Sequence, residues 1–235
     1  MPASNKDNNI SLRGKIYIIR NMISVFLTGL IFFLAAGRWD IMRGWIYFIL
    51  AICVILIANL VIGSKNPELL HQRFKIHTGS KNWDKWWLLI FALIFVYGMP
   101  LVAGWEIGRM GRQMSFWSLL LGLILYFLSV FISTWAMIVN QFFEPTVRIQ
   151  KDRNHKVITK GPYGFIRHPG YFGIILWAIA FPLIVGSTFA LYQGIILILF
   201  SAVRTYFEDK TLQLELEGYK SYTEKVRYRL FPGIW

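Results

Sequence analysis

Apolar residues fall into six long stretches separated by short polar segments. They lie near Asn21–Ala36, Trp45–Ile62, Trp86–Val102, Phe116–Val139, Tyr171–Val185 and Phe189–Val203. A hydrocarbon core about 30 Å thick needs roughly 20 helical residues to cross it. The second, third and fourth stretches have that length, and so does the first if it starts nearer Ile16, with Arg20 at the interface. The last two are short and only Gly186-Ser187-Thr188 parts them, which predicts an antiparallel helical hairpin whose ends run on into polar residues. The first stretch follows some twenty polar residues. Leu34 before the small pair Ala35-Ala36 does not make a cleavage pattern, so an uncleaved first span is expected.

Composition turns this pattern into a class. Apolar residues make up 56% of the 235 positions and charged residues only 16%, with 10 Trp and 19 Phe; the mean hydropathy is +0.49. A soluble globule of this size would be left with large exposed apolar patches, and disorder requires the opposite composition. The formal charge of +13 could mark a nucleic-acid surface, but its distribution points elsewhere. Alternate segments between the stretches hold 21 Lys and Arg on one side and 4 on the other, the asymmetry of a membrane protein whose basic loops lie in the cytoplasm. Both termini are then cytoplasmic, and no nucleic-acid partner is expected. Trp39, Trp45, Trp86 and Trp117 at the ends of stretches suit interfacial anchors. The lone Cys53 cannot form an intramolecular disulfide and reads as core packing. The expectation is one all-α membrane domain over 1–235, with about six transmembrane helices and a cytoplasmic C-terminal amphipathic helix.

Polar residues concentrate in two predicted cytoplasmic regions, Asn140–Gly170 and the tail from Arg204, held to one membrane face by the hairpin between them. The first contains Gly161-Pro162-Tyr163-Gly164-Phe165-Ile166-Arg167-His168-Pro169-Gly170-Tyr171. Gly-Pro and Pro-Gly pairs mark tight turns, and Pro169 suits the first turn of the following helix, where its missing N–H costs nothing. This turn can present backbone N–H groups, His168 and two tyrosines to one concavity. Arg167 equally suits a side chain snorkelling to headgroups. Arg204 and Glu208 are four residues apart, so on a continuing helix they share a face; they form either a simple ion pair or part of a wet boundary site. Leu212, Leu214, Leu216, Tyr219, Tyr222 and Val226 alternate with charges and predict an amphipathic segment ended by Pro232-Gly233, its charges solvated.

Several chemistries are excluded. The chain has no dinucleotide, Walker, zincin or nucleophile-elbow signature. Its histidines (His71, His77, His155, His168) include no close helical pair, so no metal site is expected, and His71 and His77 read as solvated loop residues. None of the six stretches contains Asp or Glu, which argues against an ion-coupled transporter.

From Asn140 to the end, the chain resembles the isoprenylcysteine carboxyl methyltransferase family, which itself resembles the phospholipid methyltransferases. The resemblance rests on His155-Lys156-Val157-Ile158-x-x-Gly161-Pro162-Tyr163, then Arg167-His168-Pro169-x-Tyr171, and after the hairpin Arg204-x-x-x-Glu208, Tyr219-x-x-Tyr222, Val226, Arg229 and Pro232. Around Leu216-Glu217-Gly218 the chain is about a residue shorter than the eukaryotic pattern. The resemblance implies S-adenosyl-L-methionine as methyl donor, held by residues 140–235 while 1–139 supplies the N-terminal spans. His155, Lys156, Val157, Ile158 and Tyr163 would line this cofactor, partly through backbone. His168, Pro169, Gly170 and Tyr171 would hold its amino-acid end, and Glu208 would bind it from the last helix. Gln150 aligns loosely with a cofactor-contacting glutamine. Arg204 would be the catalytic residue, facing the acceptor or its carboxylate. The acceptor would be a lipid or lipid-modified small molecule reached from the membrane, with carboxyl O-methylation favoured over N-methylation and the active site facing the cytoplasm. Two other readings stay open at this point: an NADPH-dependent membrane reductase of the sterol-reductase type, and a non-enzymatic membrane scaffold that keeps the turn for structure.

Overall fold

The structure is a computed structural model and describes residues 10–74 and 77–235. Lys6 and Lys75, two of the cations used for orientation, lie outside the described residues. Among the described residues the fold is helical throughout, with no strand. Its helices are α1 (Leu12–Ala36), α2 (Met42–Lys65), α3 (Pro67–Gln72), α4 (Asn82–Ile90), α5 (Gly98–Met110), α6 (Phe116–Val139), α7 (Pro169–Val185), α8 (Thr188–Glu215) and α9 (Tyr219–Lys225). A π-helical segment, Phe91–Tyr97, joins α4 to α5, giving one continuous rod over Asn82–Met110. Five helices are long and apolar enough to cross a membrane, and α7 is a shorter apolar helix of 17 residues.

The outer faces of these helices are apolar too. Ile23, Phe26, Leu34, Ile57, Ile124, Phe131, Ile196 and Leu199 are all exposed, as suits side chains that meet lipid. The same fact corrects the expectation for Cys53, which is exposed rather than packed in the core. An apolar run does not reveal which of its faces turns inward when the surrounding medium is itself apolar.

Local chemistry sets the element boundaries. Ser11 caps α1 by accepting the Gly14 N–H at 3.2 Å, so the helix starts four residues before Ile16. Pro100 has no N–H to donate one turn back, and the ladder widens into the π segment just before it. The rod also runs beyond the apolar stretch at both ends, which brings in Asp84 and Glu106, both buried. Both acids thus lie within a helix long and apolar enough to cross a membrane, and both are engaged by hydrogen bonds. Glu106 accepts the N–H groups of Thr188 and Phe189 at 3.3 and 2.9 Å and the Ser187 hydroxyl, anchoring the start of α8. Asp84 belongs to the site described below.

Close helix contacts depend on small residues. A Cβ on Gly194 of α8 would strike the Ala178 carbonyl of α7, and one on Gly122 of α6 would meet the Ile184 backbone of α7. The three helices therefore pack backbone to backbone. Phe181 and Ile184 are fully buried in the core they share with Phe32, Tyr47 and Phe95. The loop after α6 and the tail after α8 emerge side by side at one end of this bundle.

Candidate functional site

The loop 140–160 has almost no regular structure and is held by side-chain bonds. Asn140 accepts the Phe142 N–H at 2.8 Å and donates to the Tyr163 hydroxyl at 2.9 Å. Gln150 is buried; its amide donates to the Phe142 carbonyl and accepts from Arg153, both at 2.7 Å. Arg148 forks onto Glu144 at 2.8 and 3.0 Å and also reaches Asp152 at 2.7 Å, which raises its already high pKa. His155 lies against the Phe142 ring, centroids 4.5 Å apart, and its Nδ1 accepts the Gln150 N–H at 3.3 Å. Burial, aided by Arg148 and Arg153, pushes its pKa down to about 4, so the imidazole is neutral at pH 7 with Nδ1 unprotonated.

The turn that follows is tied to the tail. The N–H groups of Arg167 and His168 donate to the carbonyls of Tyr228 and Arg229, each at 3.0 Å, and Pro169 opens α7. Asp209, one residue after Glu208, is fully buried. Its Oδ1 accepts from Arg167 Nε (2.8 Å), Tyr219 (3.0 Å) and His168 Nε2 (3.2 Å). Its Oδ2 accepts from Gln213 (2.7 Å), Arg229 (2.9 Å) and Arg167 Nη2 (3.1 Å). Arg167 is therefore an internal strut and does not face headgroups. Because His168 Nε2 carries the proton given to Asp209, its Nδ1 is left toward Glu208 Oε1, 3.9 Å away.

Glu208 accepts a 2.6 Å bond from the Tyr171 hydroxyl, so the two regions meet side chain to side chain. Arg204 does not pair with Glu208. Its Nε donates to Asp84 at 2.7 Å, its Nη2 to the Pro145 carbonyl at 2.7 Å, and its guanidinium lies 5.3 Å from the Tyr171 ring centroid. The other Asp84 oxygen accepts the Val147 N–H at 2.7 Å. This one buried acid of the first half thus fixes both the loop and the last long helix.

These elements enclose a cavity of about 260 Å3. Of the residues expected at a cofactor, Gln150, His155, Lys156, Val157, Ile158, Tyr163, His168, Gly170, Tyr171 and Glu208 line it, as does Arg204. Pro169 does not line it and serves as the first residue of α7. A Cβ on Gly170 would collide with the Phe143 ring, so only glycine lets the loop close over the start of this helix. The tail departs from the expected surface helix. α8 runs to Glu215, Gly218 turns the chain with φ 78°, and only the short α9 follows. The apolar residues Leu216, Tyr219, Tyr222 and Val226 pack on Ile149 and Val157, and the first three line the cavity. Burial raises the pKa of Tyr163, Tyr219 and Tyr222, so these phenols stay protonated. His71 and His77, expected in solvent, are part-buried, bonded to Ser11 (3.1 Å) and to the Gln72 carbonyl (2.9 Å). A second, more apolar hollow between the π segment, α6 and α7 shares Phe91 and Ile174 with the main cavity.

Sequence reasoning missed Asp84, Asp209 and Glu144, and also Arg73, which lines the cavity just after α3. Asp209 could have been found from its place beside Glu208 on a helix leaving the membrane. Asp84 had no local signal.

Comparison with known proteins agrees with the motifs. Residues 120–214 match the model of the Isoprenylcysteine carboxyl methyltransferase (ICMT) family. A probable protein-S-isoprenylcysteine O-methyltransferase of Oryza sativa subsp. indica is 29% identical over 114 residues, 45% of this chain and 56% of the relative. Protein-S-isoprenylcysteine O-methyltransferase B of Arabidopsis thaliana is 25% identical over 119 residues, 49% of this chain and 60% of the relative. The Schizosaccharomyces pombe protein-S-isoprenylcysteine O-methyltransferase is 26% identical over 102 residues, 42% of this chain and 43% of the relative. The chain thus spans about half the length of the curated relatives it matches. The matched segment 120–214 covers most of α6, the loop, the turn and the hairpin around the cavity, and there the chain is similar to the ICMT family.

Proposed function

We propose that this protein transfers a methyl group from S-adenosyl-L-methionine to a lipidic or lipid-modified acceptor, most simply a carboxylate, at the cytoplasmic boundary of the membrane. The observation that carries this is the single cavity onto which the family's motif residues converge from loop, turn and last helix. The chemistry of the lining fits such a donor. Val157, Leu212 and Leu216 offer apolar contact to a base, while Glu208 Oε1 offers an acceptor to an ammonium group. The opening turn of α7 offers the Gly170 N–H and a favourable dipole to a carboxylate, since the Tyr171 and Phe172 N–H groups already donate to the His168 carbonyl. The donor, when bound, supplies a methyl group already activated by a sulfonium.

The chain's own residues then have four tasks. Asp209 holds the His168 ring in one orientation. Tyr171 holds Glu208. Arg204, clamped by Asp84 and Pro145, keeps Nη1 for an acceptor carboxylate, since a fork fixed in place binds such a group with little further ordering. The tail, folded over the loop through Tyr222, whose hydroxyl donates to the Tyr163 carbonyl at 2.7 Å, keeps water from the reacting atoms. The apolar hollow shared through Phe91 and Ile174 suits the greasy part of an acceptor arriving from the bilayer. A membrane protein with its catalytic end in the cytoplasm and six crossings, α7 included, accounts for the distribution of Lys and Arg.

The test is incorporation of labelled methyl from S-adenosyl-L-methionine into membrane lipid extracts and into N-acetyl-S-farnesylcysteine by the purified chain. Methylation of an acid that is abolished by Arg204→Ala supports the reading. Absence of transfer to any extract or acid, with NADPH consumed instead, contradicts it.

A further inference from the structure

Four arginines line the cavity: Arg73, Arg148, Arg167 and Arg204. Three already face a carboxylate, Arg148 with Glu144 at 2.8 Å, Arg167 with Asp209 at 2.8 Å and Arg204 with Asp84 at 2.7 Å. Arg73 differs. Its Nε donates to the Tyr17 hydroxyl at 2.9 Å and its Nη1 to the Phe143 carbonyl at 2.9 Å. Both partners are neutral, and among the described residues neither a carboxylate nor an acceptor for Nη2 is within reach. Lys156, another cation of the lining without a carboxylate partner among the described residues, is exposed, so it is not desolvated as Arg73 is.

A guanidinium stays charged at any relevant pH. Arg73 is only partly accessible, and a half-desolvated charge without a counter-ion favours binding an anion. Its geometry is set in advance. It directly follows α3, whose Leu69 and Leu70 are fully buried against Tyr17, Ile18 and Ile62, and its guanidinium lies 5.3 Å from the Phe143 ring centroid. That ring also abuts Gly170, at the start of α7. Two bonds and two aromatic rings hold the fork, so little side-chain entropy remains to be lost when a planar anion arrives.

We propose that Arg73 is an anion-recognition residue of this cavity, taking a carboxylate of the bound molecule through its unengaged Nη2. The proposal rests on the methyl-transfer reading and extends it, because Arg73 lies outside the family-matched segment 120–214 and gives the first half of the chain a part in binding. The carboxylate could come from the amino-acid end of the donor or from the acceptor, and paired probes separate the two. S-adenosylhomocysteine is titrated against its decarboxylated analogue, and N-acetyl-S-farnesylcysteine against its amide. Titrations use the full chain in nanodiscs, with thermal unfolding as the check on fold.

The wild type should prefer at least one acid to its neutral partner. Arg73→Gln should weaken that acid by about ten- to a hundredfold, the scale of a charged hydrogen bond, and leave the neutral partner within about twofold. Arg73→Lys should retain part of the preference. Loss confined to S-adenosylhomocysteine assigns the donor's carboxylate, and loss confined to the farnesyl acid assigns the acceptor's. Equal wild-type affinity for acid and neutral probe in both pairs, or an acid preference that survives in folded Arg73→Gln, overturns the proposal. A wild type that binds no S-adenosylhomocysteine removes the methyl-transfer reading, while the farnesyl pair still decides the role of Arg73.

Discussion

Asp209 concentrates more interactions than any residue the motifs name. Its two oxygens accept from Arg167, His168, Tyr219, Gln213 and Arg229 at 2.7–3.2 Å. Removing the charge by Asp209→Asn would leave the buried Arg167 with neutral acceptors only, two backbone carbonyls and one amide oxygen. Breaking a buried ion pair from one side costs roughly 3–5 kcal/mol, so Asp209→Asn should lower stability by about 3 kcal/mol, measured by unfolding in mild detergent. His155 predicts a pH effect. Its pKa in the fold is about 4 against roughly 6.5 in an unfolded chain. Between these values the unfolded chain takes up a proton that the folded loop refuses. The contribution to stability is therefore complete above about pH 6.5 and is lost as pH falls toward about 4. Thermal unfolding at pH 7.5 and pH 5 should separate more for the wild type than for His155→Gln; equal separations would place the imidazole in solvent.

At the scale of elements, the two halves of the chain meet through the rod Asn82–Met110. Asp84 at its start clamps Arg204 of α8 and the Val147 N–H of the loop. Asp84→Asn keeps an acceptor for Val147 but releases the guanidinium, so turnover should fall by about tenfold or more while donor affinity changes little. A fall in donor affinity alone would mean that Asp84 serves only the loop. Gly170→Ala is expected to push Phe143 off α7, costing about 1–3 kcal/mol as other overpacked contacts do and weakening donor binding. The sequence made some of this legible. The turn from Gly161 to Tyr171 announces itself through Gly-Pro and Pro-Gly pairs, and Arg204 and Glu208 share a face because four residues separate them. Asp84 and Glu106 were hidden because helices do not stop where apolar stretches do. Asp209 read as one more charge on a solvated face, since its burial comes from tail residues 219–229 folding back on α8, which no local pattern records. Arg73 lay in a basic loop whose other cations gave it no distinction.

For the whole molecule, the proposed topology puts the loop, the tail and the cavity between them on the cytoplasmic side. In a Cys53→Ser background, which removes the lone native thiol, Ser221→Cys should react with a membrane-impermeant maleimide only after cells are opened. Arg112→Cys, between α5 and α6, should react in intact cells. The reverse pattern would invert the topology and move the cavity to the other face.

The account depends most on one joint site formed by α7, α8, the loop and the tail for a sulfonium donor. Calorimetric titration of the purified full chain with S-adenosyl-L-methionine and with NADPH, in wild type, His168→Ala and Glu208→Ala, tests it directly. The account predicts saturable heat with S-adenosyl-L-methionine and none with NADPH, and loss of that heat in both variants while they remain folded. Unchanged affinity in both variants, or heat with NADPH alone, would contradict it.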